Sequence, residues 1–269
     1  MFAAFCGFDR YIVCMTLIDT HTHIYLPEFD ADRQDVMERA DKAGIIKIFM
    51  PAIDSTTHEA MLETVRQFAA SCQSMMALHP CSVKENYFDE LGIVEDYLAK
   101  RKFIAVGETG LDFYWDVSFK DQQYNAFQRQ IELALQYDIP VVIHSRNSID
   151  ECIEVVKKHQ QGKLKGVFHC FSGSLQQAQQ IIDLGFYLGI GGVVTFKNAG
   201  LDKVIKDVDL KHVILETDAP YLAPIPFRSK RNEPSYLNYV AKRLADIKEI
   251  SVEEIAALTT INAKKLFDI

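Results

Sequence analysis

A chain of 269 residues with 48% hydrophobic and 25% charged side chains has the balance of a folded globular protein, which excludes a disordered or collagen-like one. Its length suits one barrel of alternating strands and helices, a unit that reaches ~250 residues as a single domain. The net charge of −8 excludes a global positive field, so a polyanionic partner has to be held by local cations or by metal ions.

In chain order, residues 1–14 come first. Phe2, Ala3, Ala4, Phe5 and Phe8 are apolar, but Asp9 and Arg10 break the run before it reaches signal-peptide length. These residues read as an N-terminal extension dispensable for folding, and residues 15–269 as a single cytoplasmic barrel domain. No stretch approaches the ~20 apolar residues of a membrane span, so no membrane partner is expected. Short apolar or β-branched runs then recur at 16–19, 45–50, 75–78, 103–106, 140–143, 166–168, 186–190 and 212–215. Helical spacing fills the intervals, as in Val36, Ala40 and Ala43, or Phe127, Ile131 and Leu135 with Ser118 as a start signal. Two more helices, about 235–247 and 251–267, close the chain. Parallel strands need long crossovers and helices supply them, so eight alternating units predict an α/β fold closed into a (β/α)8 TIM-type barrel. An open doubly wound sheet shares the alternation, but no GxGxxG follows the first strand. The six cysteines, Cys6, Cys14, Cys72, Cys81, Cys152 and Cys170, are scattered without a CxxC pair and read as reduced, mostly buried thiols.

The first strand ends in Asp19-Thr20-His21-Thr22-His23, whose two histidines project to the same side of an extended segment. Metal-capable residues just beyond apolar runs recur at Glu108, His144, His169 and Asp218. In a barrel all these strand ends share one face, where enzymes of this architecture place their sites. Four histidines and two carboxylates exceed the three protein ligands of a typical catalytic zinc, so two ions are expected. His21, His23 and Asp218 would serve one, His144 and His169 the other, and Glu108 would bridge them. Imidazole and carboxylate ligands fit zinc, magnesium or manganese and leave the identity open.

Five segments carry a resemblance: Asp19 to His23, Gly107-Glu108-Thr109-Gly110-Leu111-Asp112, His144-Ser145-Arg146, His169-Cys170-Phe171-Ser172-Gly173 and Glu216-Thr217-Asp218-Ala219-Pro220-Tyr221-Leu222. With Arg231-Asn232-Glu233-Pro234 they resemble the signature segments of the TatD family of metal-dependent hydrolases. The resemblance runs from Met15 over nearly the whole chain. It implies the barrel of the metallo-dependent hydrolase superfamily, deoxyribonuclease or related phosphodiesterase activity, and metal ligation by His21, His23, Glu108, His144, His169 and Asp218.

Paired cations acidify water and neutralise charge in an in-line displacement. Asp218 is expected to combine ligand and general base, beside the bridging Glu108, as the catalytic carboxylates. Glu216, two residues before Asp218, would orient a ligand histidine or form a salt bridge inside the barrel. Asp19 and Asp112 read either as similar supporting acids or as loop caps. His79 is expected to contact substrate, and Arg146, Arg228 and Arg231 to bind phosphate, a task that planar guanidinium groups suit. Tyr114 and Trp115 suit stacking on a base or packing of their loop equally well. DNA, cut from single strands or ends, is the leading substrate. An amide, a lactone or a small ester is the alternative, because a fold does not determine a reaction. A binding protein with a structural ion is the third reading, disfavoured because structural zinc sites are closed four-coordinate cages.

Overall fold

The computed structural model describes residues 15–269, so the expected extension, with Cys6 and Cys14, lies outside the described residues. Eight strands alternate with helices: β1 (Leu17–Asp19), α1 (Arg33–Lys42), β2 (Ile45–Met50), α2 (Ser55–Gln67), β3 (Cys72–Ser74), α3 (Tyr87–Lys100), β4 (Val106–Asp112), α4 (Lys120–Tyr137), β5 (Val141–Arg146), α5 (Ile149–His159), β6 (Gly166–Phe168), α6 (Leu175–Asp183), β7 (Tyr187–Ile190), α7 (Leu201–Asp207) and β8 (Val213–Leu215), before α8 (Leu237–Lys248) and α9 (Val252–Phe267). Every ladder is parallel, in the runs β1-β2-β3 and β4 through β8. Backbone bonds outside the ladders close the two gaps: Ile104 N to Ser74 O and Met76 N to Ala105 O, both 3.2 Å, between the β3 and β4 segments, and Thr20 N to Leu215 O at 3.1 Å between β8 and the end of β1. The chain is therefore a (β/α)8 barrel. Among the described residues, no helix is long and apolar enough to cross a membrane.

Two strands fall elsewhere than the sequence predicts. The run at 75–78 is fully buried, yet β3 itself ends before it, at Cys72–Ser74; Met75 N still donates to Met50 O of β2, and Met76 N turns to Ala105 O on the other side. The run at 103–106 leads into β4, which continues through Glu108 to Asp112. Apolarity reports burial, and β4 is buried along its whole length whatever its polarity. Ser118 does not start α4 either, because its amide turns back to Asp116 Oδ1 and Phe119 occupies the cap. Cys72 and Cys152 are buried free thiols, pushed up to about 12 by that burial, whereas Cys81 and Cys170 are half-buried.

The barrel is filled by Ile18, Phe49, Met75, Ala105, Val142, Val167 and Ile214, together with Ala263, Leu266 and Phe267 from α9. Ile18, Ala105, Val142, Val167 and Ile214 each precede a site histidine or carboxylate further along the same segment, so α9 plugs the end opposite the site. Ser251 and Glu254 form a capping box that starts α9, and the Phe49 and Phe267 rings meet at 4.8 Å. Phe267→Ala is expected to destabilise the fold by about 3–5 kcal/mol, since it opens a cavity beneath the barrel. Urea unfolding measures this, and a loss under about 1 kcal/mol would mean that the plug contributes little packing.

Candidate active site

The segment after β1 is threaded between its neighbours: Thr22 N donates to Phe49 O at 3.0 Å, His23 N to Ala219 O at 2.7 Å and Asp218 N to His21 O at 2.9 Å. His21, His23 and the Asp218 backbone are thereby fixed to one another. Asp218 takes a left-handed conformation, φ 58°, three residues beyond β8. His169 directly follows β6, and its amide donates to Ile143 O at 3.0 Å. Glu108 and His144 sit inside β4 and β5, not past their ends as the apolar runs suggest.

The six predicted ligands gather in one place: the four histidines face Glu108, and Asp218 faces two of those histidines. Its Oε2 lies 3.2 Å from His21 Nε2 and 3.8 Å from His23 Nε2. Its Oε1 faces the other way, 2.8 Å from His144 Nδ1, 2.6 Å from His169 Nε2 and 3.6 Å from His79 Nε2. Asp218 Oδ1 stands 3.7 Å from His21 Nε2 and 3.6 Å from His23 Nε2. The two carboxylate oxygens of one residue thus divide the histidines into two groups, with Asp218 on the His21 and His23 side. Burial by itself would raise the Glu108 carboxyl, but the imidazoles of His169, His21 and His79 hold it well below the usual carboxylate range.

Hydrogen-bond direction fixes two ring tautomers. The Tyr25 hydroxyl donates to Pro51 O at 2.7 Å, so at His23 Nδ1, 3.1 Å away, it accepts. His23 therefore carries its proton on Nδ1 and turns the Nε2 lone pair toward Glu108 and Asp218. At His79, Nδ1 accepts from the Cys81 amide at 3.0 Å, which leaves the proton on Nε2, aimed at the Glu108 side. His79 is thus a donor there, and its lone pair is already engaged; His144, His79 and Glu108 lie close enough to hold an ion, but this tautomer makes His79 the wrong partner.

Several neighbours support the ligands. Asp112 Oδ2 meets His144 Nε2 at 2.9 Å while its Oδ1 accepts from the Tyr114 and Trp115 amides, so this acid does both of the jobs expected of it. Burial would raise the Asp112 carboxyl, but His144 and those amides hold it well below its usual value. Glu216 Oε1 lies 3.3 Å from His169 Nδ1 at ion-pair distance and accepts from the Cys170 amide. Burial pushes Asp19 up to about 8, and its carboxyl binds the Thr217 amide and hydroxyl, which ties β1 to the turn that carries Asp218.

The three arginines expected to bind phosphate have three different settings. Arg231 forms a bidentate pair with Asp32, 2.7 Å at each nitrogen, and also donates to Glu28 O, so its donors hold the start of α1 in place. Arg228 is exposed and packs over the Phe196 ring at 4.4 Å, and Arg146 is exposed at the mouth beside His144. Sequence reading passed over three residues. Tyr25 sets the His23 tautomer. Asn232, fully buried, donates to Thr217 O and Tyr221 O, each at 2.7 Å, and so clamps the Asp218 turn. Gln130 holds Leu78 N, Leu78 O and Thr109 Oγ1 together behind the site. Asn232 lies within the Arg231 to Pro234 segment, which was a signal without a role; the other two stand among ordinary helix and loop residues and had none.

The residues fit metal ions. Both ring nitrogens of His21 are buried without a hydrogen-bond partner, as are His169 Nδ1 and Glu216 Oε2. His21 and His169 stack at 3.9 Å, and buried polar atoms left this way are costly unless a ligand satisfies them. Two groups, His21-His23-Glu108 and His21-His169-Glu216, bring their ligand atoms within 4.8 Å of one another, and in the third such group, His79-Glu108-His144, His79 already has its lone pair engaged.

The family profile described as TatD related DNase matches residues 18–268. The chain belongs to the TatD family. It is 38% identical over 254 residues to the uncharacterized metal-dependent hydrolase YabD of Bacillus subtilis, covering 94% of this chain and 99% of that one. It is 30% identical to the 3'-5' ssDNA/RNA exonuclease TatD of Erwinia amylovora, covering 93% and 99%. Among solved structures, the TatD homologue YjjV from Escherichia coli superposes with a TM-score of 0.89 at 32% identity, covering 95% of this chain and 99% of that one. This TatD-family chain is thus a metal-dependent hydrolase on a (β/α)8 barrel.

Tyr25→Phe removes only the oxygen that orients His23. It is expected to weaken metal affinity roughly 10- to 100-fold while activity at saturating metal stays near the parent's. Titration of metal-stripped protein measures this, and an unchanged affinity would remove Tyr25 from the site.

Proposed function

We propose that this chain hydrolyses phosphodiester bonds in DNA, working on single strands or ends, with two divalent cations held by His21, His23, Asp218 and Glu108 on one side and by Glu108, His144 and His169 on the other. The division of the histidines between the two Glu108 oxygens carries the reading. Bound there, divalent cations supply Lewis acidity toward a phosphoryl oxygen and make a water more acidic.

The protein's own groups do the rest. Asp218 has the more open carboxylate of the two, its side chain 13% exposed against 3% for Glu108, and it accepts a proton from the attacking water. His79 presents Nε2–H toward the same space and donates to a phosphate oxygen or to the leaving oxygen. Arg146 supplies the guanidinium at the mouth that an acidic chain needs to hold a polyanion. Glu216 and Asp112 steady His169 and His144. The name of the Erwinia amylovora relative supports a nucleic-acid substrate.

The test is hydrolysis of labelled single-stranded DNA, duplex DNA and a chromogenic phosphodiester by chelator-stripped protein resupplied with magnesium, manganese or zinc. Metal-restored cleavage of single strands ahead of duplex is the expected result. Metal-loaded protein that cleaves no phosphodiester would overturn the reading and direct the search to amides, lactones and small esters.

A further inference from the structure

The loop after β4 leaves two large aromatic rings in water. Trp115, the only tryptophan of the chain, is 68% exposed and Tyr114 is 53% exposed, so packing the loop is not what they do. Their rings stand edge to face at 4.8 Å, and the Arg146 guanidinium lies over both, 3.8 Å from the Tyr114 centroid and 5.1 Å from that of Trp115. Among the described residues the guanidinium has no carboxylate partner.

This corner is rigidly indexed to the catalytic groups. Asp112 Oδ1 accepts from the Tyr114 and Trp115 amides at 2.9 and 3.2 Å, while Oδ2 of the same carboxylate meets His144. The β4–β5 register sets Asp112 against Arg146 and Gly110 against His144, and Phe113 N donates to Arg146 O at 2.9 Å. Gly110 lets the two strands approach this closely, since a Cβ there would stand 2.1 Å from His144 O at a φ of +141°. The far side of the loop is held by the Lys84–Asp116 ion pair at 2.9 Å. Exposed aromatics on an unanchored loop have many explanations; an exposed indole whose backbone amide is held by the same carboxylate that meets a site histidine, with a guanidinium lacking a carboxylate partner beside it, has a narrower use.

We propose that Trp115, with Tyr114 and Arg146, forms a stacking subsite for one nucleobase of a single strand whose phosphodiester lies at the Glu108 centre, an inference that rests on the phosphodiester reading above. The base stacks on the indole, and the guanidinium takes the adjoining phosphate. Every base offers a π face, so the subsite selects an unpaired base without selecting a sequence, and bases stacked within a duplex are not available to it.

The experiment compares a labelled single-stranded oligonucleotide with one of equal length in which the bases nearest the cleaved end are abasic, using metal-loaded parent, Trp115→Ala and Trp115→Phe proteins. In Trp115→Ala the ratio of kcat/KM for the base-containing strand to that for the abasic strand is expected to fall roughly 5- to 100-fold, mainly through KM, and Trp115→Phe should restore most of it. Equal losses on both strands, or none, would overturn the subsite. Because Trp115 is the sole indole, stopped-flow fluorescence of the parent reads stacking independently of hydrolysis. Saturable quenching by oligothymidine that the abasic strand does not produce supports the subsite, and its absence overturns it. A parent that quenches but cleaves neither strand would sink the phosphodiester reading while leaving the stacking intact.

Discussion

Glu108→Gln is expected to abolish hydrolysis and to lower the divalent metal retained after dialysis, the largest single effect in the molecule. The side-chain volume is kept and the negative charge is removed. Glu108 is the residue that both groups of histidines share, with Oε2 near His21 and His23 and Oε1 near His144, His169 and His79. A glutamine offers a carbonyl to one group and an NH2 to the other, and the NH2 repels a cation. Losing charge stabilisation of several kcal/mol lowers the rate by roughly 10³-fold or more, at about 1.4 kcal/mol per decade. Metal analysis and single-turnover cleavage measure the two parts separately. A variant that keeps both its metal content and its turnover would show that the carboxylate does not bridge.

Asp218→Asn is expected to reduce turnover by about 10²- to 10⁴-fold, the range for loss of a positioned general base, with the unfolding midpoint close to the parent's. The expectation of an intact fold comes from the backbone. Asp218 lies at φ 58°, a conformation that asparagine tolerates as well as aspartate, and its amide still reaches His21 O. Asn232 continues to clamp the turn through Thr217 O and Tyr221 O. What changes is the oxygen set against His21 and His23, which loses its charge and can no longer take a proton. Thermal unfolding beside steady-state kinetics tests both halves, and full turnover in a folded variant would assign the proton to another group.

The barrel was legible because its signal repeats. Eight apolar runs separated by helical spacing leave few architectures, and five strands that each present an imidazole or carboxylate at the same end define a face before any coordinate does. The ligand residues could be named for the same reason: His21, His23, Glu108, His144, His169 and Asp218 are marked by position along a periodic pattern. Strand limits were less legible at β3 and β4, because apolarity reports burial and not which amides enter a ladder; Glu108 and Asp112 are polar, yet β4 runs through both. The sequence by itself determined the alternation, the face and the residue types on it. Only the tertiary structure decided that Arg231 is committed to Asp32, that Tyr25 and Cys81 fix the tautomers of His23 and His79, and that Trp115 stands in solvent beside Arg146. Those outcomes depend on pairings between segments far apart or on which way a single hydrogen bond points. A periodic pattern encodes which face of a strand or helix is buried, and it carries no record of where a side chain at the mouth finds its partner.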